Sequence, residues 1–122
     1  MNKEVLTISG ATRWHDAGYT GKGVTIAVLD GFEMSDIIKP YDASLESTHG
    51  LNVCKSALVT APDANIVMMR WKGRGADKQQ CIDWINSNKP DIINVSLGGI
   101  IIQARDFEKL EGHTLFCATG NN

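Results

Sequence analysis

Apolar and polar positions along the chain switch between two periods. Val24-Thr25-Ile26-Ala27-Val28-Leu29 is a β-branched apolar run that stops abruptly at Asp30-Gly31. An unbroken run of this kind marks a strand covered on both faces. Residues 65–69, 92–97 and 114–118 carry three further runs of the same character, so four strands are predicted. Between them the period lengthens. Residues 49–60 place Val53, Ala57 and Leu58 at helical spacing, with Pro62 beyond the end. Residues 77–88 carry Ile82, Trp84 and Ile85, with Asp77 in position to cap and Pro90 to stop the helix. Residues 103–111 form a charged helical stretch closed by Gly112. Ahead of the first strand, residues 11–17 predict a short helix with Trp14 on its apolar side, stopped by Gly18. Gly21-Lys22-Gly23 reads as a turn, residues 32–47, of mixed polarity and containing Pro40, as mostly loop, and residues 72–76 as loop.

Strands separated by single helices predict βαβ units, hence an α/β fold with a parallel sheet and helices on both faces. No repeat or linker divides the chain, so residues 1–122 read as one domain. Functional groups in such sheets gather beyond the carboxyl ends of the strands. Asp30, the Ser96-Leu97-Gly98-Gly99 segment and Gly120-Asn121-Asn122 all fall at such ends, and His49 opens a helix that can start at the same edge.

Composition narrows the class of partner. The 14 acidic and 12 basic residues leave a net charge of −2, so neither nucleic acid nor an anionic membrane is an expected partner. No apolar window has the length of a membrane span, and the N-terminus lacks the apolar core of a signal peptide, which favours the cytoplasm. Three widely spaced cysteines (Cys54, Cys81 and Cys117) argue against a disulfide framework. Together with His15, His49 and His113 they show no metal-ligand spacing, so no metal is expected. Gly21-Lys22-Gly23 and Gly73-Arg74-Gly75 fall short of a phosphate loop, so no cofactor is expected. A nucleotide-binding α/β module remains as an alternative on fold grounds alone. Trp14, Trp71 and Trp84 read as core, and Cys54 as packing inward from the helix that His49 opens.

Three polar residues break the apolar pattern where chemistry would need them. A carboxylate directly after six apolar residues is costly to bury unpaired, although a strand-end Asp such as Asp30 is also an ordinary turn cap. An imidazole beside a carboxylate is held in one tautomer and becomes a better base, although a lone His49 near a helix start is also an ordinary surface residue. An Asn amide at a strand end can donate to a developing oxyanion, although Gly120-Asn121 is also an ordinary turn dipeptide.

Taken in order, the motifs resemble the subtilisin-like serine peptidases (subtilases). The segment from Gly18 to Asp30 looks like that family's strand leading to its catalytic Asp. Thr48-His49-Gly50-Leu51-Asn52-Val53-Cys54 resembles its His-Gly-Thr-His-Val-Ala-Gly helix start. Ala61-Pro62-Asp63-Ala64-Asn65 resembles its Ala-Pro turn, Pro90-Asp91-Ile92-Ile93-Asn94-Val95-Ser96-Leu97-Gly98-Gly99 its substrate segment, and Ala118-Thr119-Gly120-Asn121 its Ala-Ala-Gly-Asn segment. The likeness runs from residue 11 to residue 122. It implies a subtilisin-like sheet and a serine endopeptidase site. Asp30 would orient the imidazole, His49 would act as general base and then acid, and Asn121 would donate to the oxyanion. Ser96, Leu97 and Gly98 would offer main-chain groups to an extended peptide or protein substrate.

The departures from the family pattern carry equal weight. The family's Gly-Thr-Ser-Met-Ala-x-Pro nucleophile motif is missing: none of Ser9, Ser35, Ser44, Ser47, Ser56, Ser87 and Ser96 follows Gly-Thr. Gly31 stands where the family has Ser or Thr followed by Gly, Leu51 and Asn52 stand in place of Thr and His, and Cys54 replaces a small residue. The short stretch between Asp30 and His49 speaks against the family's calcium-binding excursions. The chain is therefore expected to be a truncated, N-terminal part of a subtilisin-like catalytic domain, inactive on peptide bonds unless a serine-bearing remainder is supplied. Three origins fit: a piece of a longer enzyme, one half of a two-chain enzyme, or a natural truncation serving as a catalytically inactive peptide-binding or assembly module. The expected partners are a peptide or protein substrate, a serine-bearing C-terminal segment, and a second copy of the chain through the open sheet edge after the fourth strand.

Overall fold

A computed structural model describes residues 3–45, 48–71, 75–97, 110 and 112–118. The element order is α1 (Lys3–Ile8), α2 (Ala11–Asp16), β1 (Thr25–Asp30), β2 (Ile38–Pro40), α3 (His49–Thr60), β3 (Asn65–Arg70), α4 (Gly75–Asn88), β4 (Ile92–Val95) and β5 (Leu115–Cys117). The strands form one mixed sheet in the order β2-β3-β1-β4-β5. β1 pairs in parallel with β3 and β4, and β4 pairs in parallel with β5. The chain thus leaves β1 for β3 on one side, then returns past β1 to β4 on the other. Right-handed crossovers running in opposite directions place their helices on opposite faces. The point where the direction reverses opens a crevice beyond the carboxyl end of β1.

The apolar periods sort into two cores accordingly. On one face, Cys81, Ile82 and Ile85 of α4 pack on Ala27, Leu29, Met69, Ile93 and Val95. On the other, Leu51 and Cys54 of α3 pack on Ile26, Val28, Ile66 and Met68, together with Phe32. β1 runs between both cores, and five of its six residues are buried. The α3 face is covered unevenly. The register Val28↔Asn94↔Phe116 puts these three residues on that face, yet Val28 is fully buried and Phe116 is 58% exposed.

Several expectations need correction. Within the mostly loop stretch after Asp30, Ile38–Pro40 pairs antiparallel with β3, which makes the sheet mixed rather than wholly parallel. Three residues are too few to show a period. Pro40 lacks an N–H donor and is tolerated because β2 is an edge strand. Trp14 is not core; it is 62% exposed and packs edge-to-face on Tyr19, with ring centroids 5.5 Å apart. Trp71 is fully buried and Trp84 packs at the core margin, as expected. Asp77 lies inside the first turn of α4 rather than capping it, and pairs with Arg70. α1, unforeseen from the pattern, buries none of its residues. The predicted helix over residues 103–111 lies outside the described residues save Leu110, which is buried in the α4-side core. Among the described residues no helix is long and apolar enough to cross a membrane.

Burial also governs the thiols. Cys54 and Cys81 are buried, and desolvation pushes each thiol up to about 12, helped by the charges of Asp30 and Asp77 respectively. Cys117 is exposed. A raised native pKa means that the native state keeps a proton the unfolded chain has already lost. Stability from these thiols is therefore complete below the unfolded value near 9 and is lost as pH rises toward about 12. Denaturant titrations are expected to show a fall in unfolding free energy above about pH 9 that becomes shallower in the Cys54→Ala, Cys81→Ala double variant. Under native conditions a thiol reagent should label Cys117 alone, since only a thiolate reacts.

Candidate active site

Asp30 ends β1 at the point where the crossover direction reverses. It is only 3% exposed and is the one buried charged residue among those described. A carboxylate in such a place needs partners, and it has them. Oδ1 accepts from the Gly31 N–H at 2.8 Å. Oδ2 accepts from His49 Nδ1 at 2.9 Å. Its main-chain carbonyl accepts from the Trp71 N–H at 2.8 Å, which extends the β1–β3 ladder and holds the strand end in place.

The imidazole is delivered by the start of α3. Thr48 is the N-cap, in extended conformation, and its hydroxyl accepts from the Leu51 N–H at 3.4 Å. Gly50 follows in the first turn, where glycine costs a helix about 1 kcal/mol relative to alanine. Crowding explains it. A Cβ on Gly50 would stand 2.9 Å from Asp30 Cβ and 2.7 Å from a Phe32 ring carbon. Only a residue without a side chain lets the helix come close enough for His49 to reach the carboxylate.

The pair fixes its own proton. An ionised carboxylate only accepts, so Nδ1 must carry the hydrogen. In the neutral imidazole, Nε2 is then the bare nitrogen, a base available to a proton on its far side. The His49 side chain is 64% exposed while that of Asp30 is 4% exposed, so the buried charge orients a ring that meets solvent.

His49 also stands in an open groove. Asn52, Ser56 and Thr60 continue along the same side of α3, and Asn94 and Ser96 of the β4 side face them across it. Asn94 Nδ2 donates to Ser96 Oγ at 3.0 Å. Of the predicted site residues, Asp30 and His49 are in contact and Ser96 shares their groove. Leu97 packs against the core on the α4 face, so its side chain is turned away from that groove. Ser96 and Leu97 follow β4 rather than forming part of it. Gly98 and Asn121 lie outside the described residues. Among the described residues no three His, Cys, Asp or Glu side chains gather.

Three supporting residues escaped the sequence reading. Phe32 falls in the stretch that reads as mostly loop, yet it is 1% exposed and sits against Gly50. Gly50 carried a signal, a glycine inside a helix start. Arg70 carried none: its Nη1 donates to the carbonyls of Met34 and Ser35 at 2.6 and 2.9 Å, tying down the segment that follows Asp30. No family model and no curated protein matches this sequence.

The tautomer is measurable. Long-range proton–nitrogen spectra of the neutral ring are expected to show His49 predominantly protonated on Nδ1. Asp30→Ala should shift it to the commoner Nε2–H form.

Proposed function

We propose that this chain supplies the aspartate and histidine of a subtilisin-like serine endopeptidase, and that it hydrolyses peptide bonds only together with a serine-bearing segment. The observation that carries the reading is the 2.9 Å bond from His49 Nδ1 to the buried Asp30 carboxylate, at the reversal point of a mostly parallel sheet. Every part of that geometry suits general-base work. Nε2 takes the proton of an incoming hydroxyl while the oxygen attacks a carbonyl carbon. The imidazolium so formed lies beside a carboxylate that stays ionised and offsets its charge. The same proton then passes to the departing amine, and a water repeats the cycle to release the acid.

The groove supports the reading in two ways. It opens at the imidazole, where the nucleophile must arrive, and it is lined also by Ser96, the first of the three residues that the resemblance assigns to substrate binding. In this reading Ser96, Leu97 and Gly98 bond an extended peptide through their main chain, and Asn121 donates to the oxyanion. The subtilisin-like resemblance of the motifs supports those assignments. No Gly-Thr-Ser sequence occurs in the chain, so the attacking oxygen has to come from elsewhere.

The test is reconstitution. The chain joined to the continuation of its reading frame past Asn122, or to the serine-bearing part of a subtilisin-like domain, is expected to cleave a quenched peptide and to react with a fluorophosphonate. His49→Ala should lower turnover by about 10⁶-fold. A stop codon at that point would rule out the continuous-chain form of the reading, and cleavage indifferent to His49 would count decisively against the reading itself.

A second reading, an inactive assembly module, draws on the outer strand. β5 has no neighbour on its far side among the described strands, and Phe116 is 58% exposed there. Such an edge templates association. It predicts dimers or larger species in gel filtration that Phe116→Lys disperses, and a monomer at all concentrations would rule it out.

A further inference from the structure

Phe32 stands two residues after the buried carboxylate, at a position where the subtilase pattern has glycine. It does not behave as a loop residue. It is 1% exposed and belongs to the core under α3, with Val28, Leu51 and Cys54. Its ring fills the space beside Gly50: a Cβ built there would lie 2.7 and 2.9 Å from two ring carbons. Asp30 Cβ lies against the same position, at 2.9 Å. The backbone that follows His49 therefore packs against both the aromatic ring and the carboxylate stem. Gly31, by contrast, has open space where a Cβ would go, so the constraint after Asp30 comes from Phe32 and not from its neighbour.

We propose that Phe32 is a positioning residue: its ring, bearing on Gly50, sets the depth at which the first turn of α3 docks on β1 and so holds His49 Nδ1 in line with Asp30 Oδ2. The physical basis is that packed interiors resist small displacements, whereas a hydrogen bond weakens steeply as its angle degrades. Arg70 completes the arrangement by fixing the carbonyls of Met34 and Ser35, which limits how far Phe32 can withdraw. The proposal rests on reading Asp30 and His49 as a functional pair, and the experiment separates the two.

The readout is the fraction of neutral His49 protonated on Nδ1, measured on the chain itself. Phe32→Ala is expected to drop that fraction toward the value seen in Asp30→Ala. Phe32→Leu, which keeps most of the volume, should retain it. Ile66→Ala removes core volume from the same cluster at a distance in sequence from the pair, and should lower stability while leaving the tautomer in place. Gly50→Ala deletes nothing from the core, yet it should also lose the Nδ1–H form, and adding Phe32→Leu should restore part of it. Should Phe32→Ala fail to fold, the two Gly50 variants decide the question. Retention of the Nδ1–H form in Phe32→Ala or in Gly50→Ala overturns the proposal alone, as does its equal loss in Ile66→Ala. Its absence from the unmodified chain overturns the Asp30–His49 pair, and with it both the functional reading and this proposal.

Discussion

A carboxylate buried at the end of the central strand sets the terms for the rest of the molecule. Asp30 is nearly closed to water, and a charge in that position is tolerated only where hydrogen-bond donors converge on it. One donor is local, the N–H of Gly31. The other must come from a different element, and His49 at the head of α3 provides it. The close docking of α3, the glycine in its first turn and the aromatic ring beside it all serve that one contact. The same contact has a chemical consequence, because a carboxylate that fixes the proton on Nδ1 leaves Nε2 as a base.

The sheet topology decides where this base points its chemistry. β1 is flanked by β3 and β4, reached by crossovers of opposite direction, so α3 and α4 lie on opposite faces and a crevice opens beyond the carboxyl ends of the strands. α3 covers β1 and β3 but leaves Asn94 and Phe116 of the same face less protected. The groove along α3 begins at the imidazole and runs beside that thinly covered strip. A peptidase reading and an assembly reading both draw on this asymmetry. They differ in what they put there: a nucleophile-bearing segment in the first, another copy of the chain in the second.

Much of this was legible in the residues themselves. The apolar run before Asp30 predicted a doubly covered strand, and β1 is one, because the four consecutive apolar side chains Ile26 to Leu29 have nowhere to go except two opposed cores. The spacing of Val53, Ala57 and Leu58 marked α3, with His49 at its head. Short or exposed features were illegible for equally physical reasons. β2 has three residues, so no alternation can accumulate, and its pairing with β3 depends on a partner distant in sequence. Trp14 fits an apolar helix stripe but packs on Tyr19 at the surface, and Ala11 is the one residue that α2 buries.

The site divides along the same line. The order of residues specifies which groups are available: a strand-end carboxylate, a helix-start imidazole, the order of the motifs that resemble a peptidase family, and the missing Gly-Thr-Ser. Composition, period and local capping are properties of neighbours along the chain, so they can be read there. Packing between elements is what brings Asp30 and His49, nineteen positions apart, to 2.9 Å, and what sets Phe32 in the core against Gly50. Those outcomes depend on how deeply a helix docks on a sheet. Docking depth is set by the volumes of side chains brought together from separate elements, and a linear pattern carries no measure of that volume.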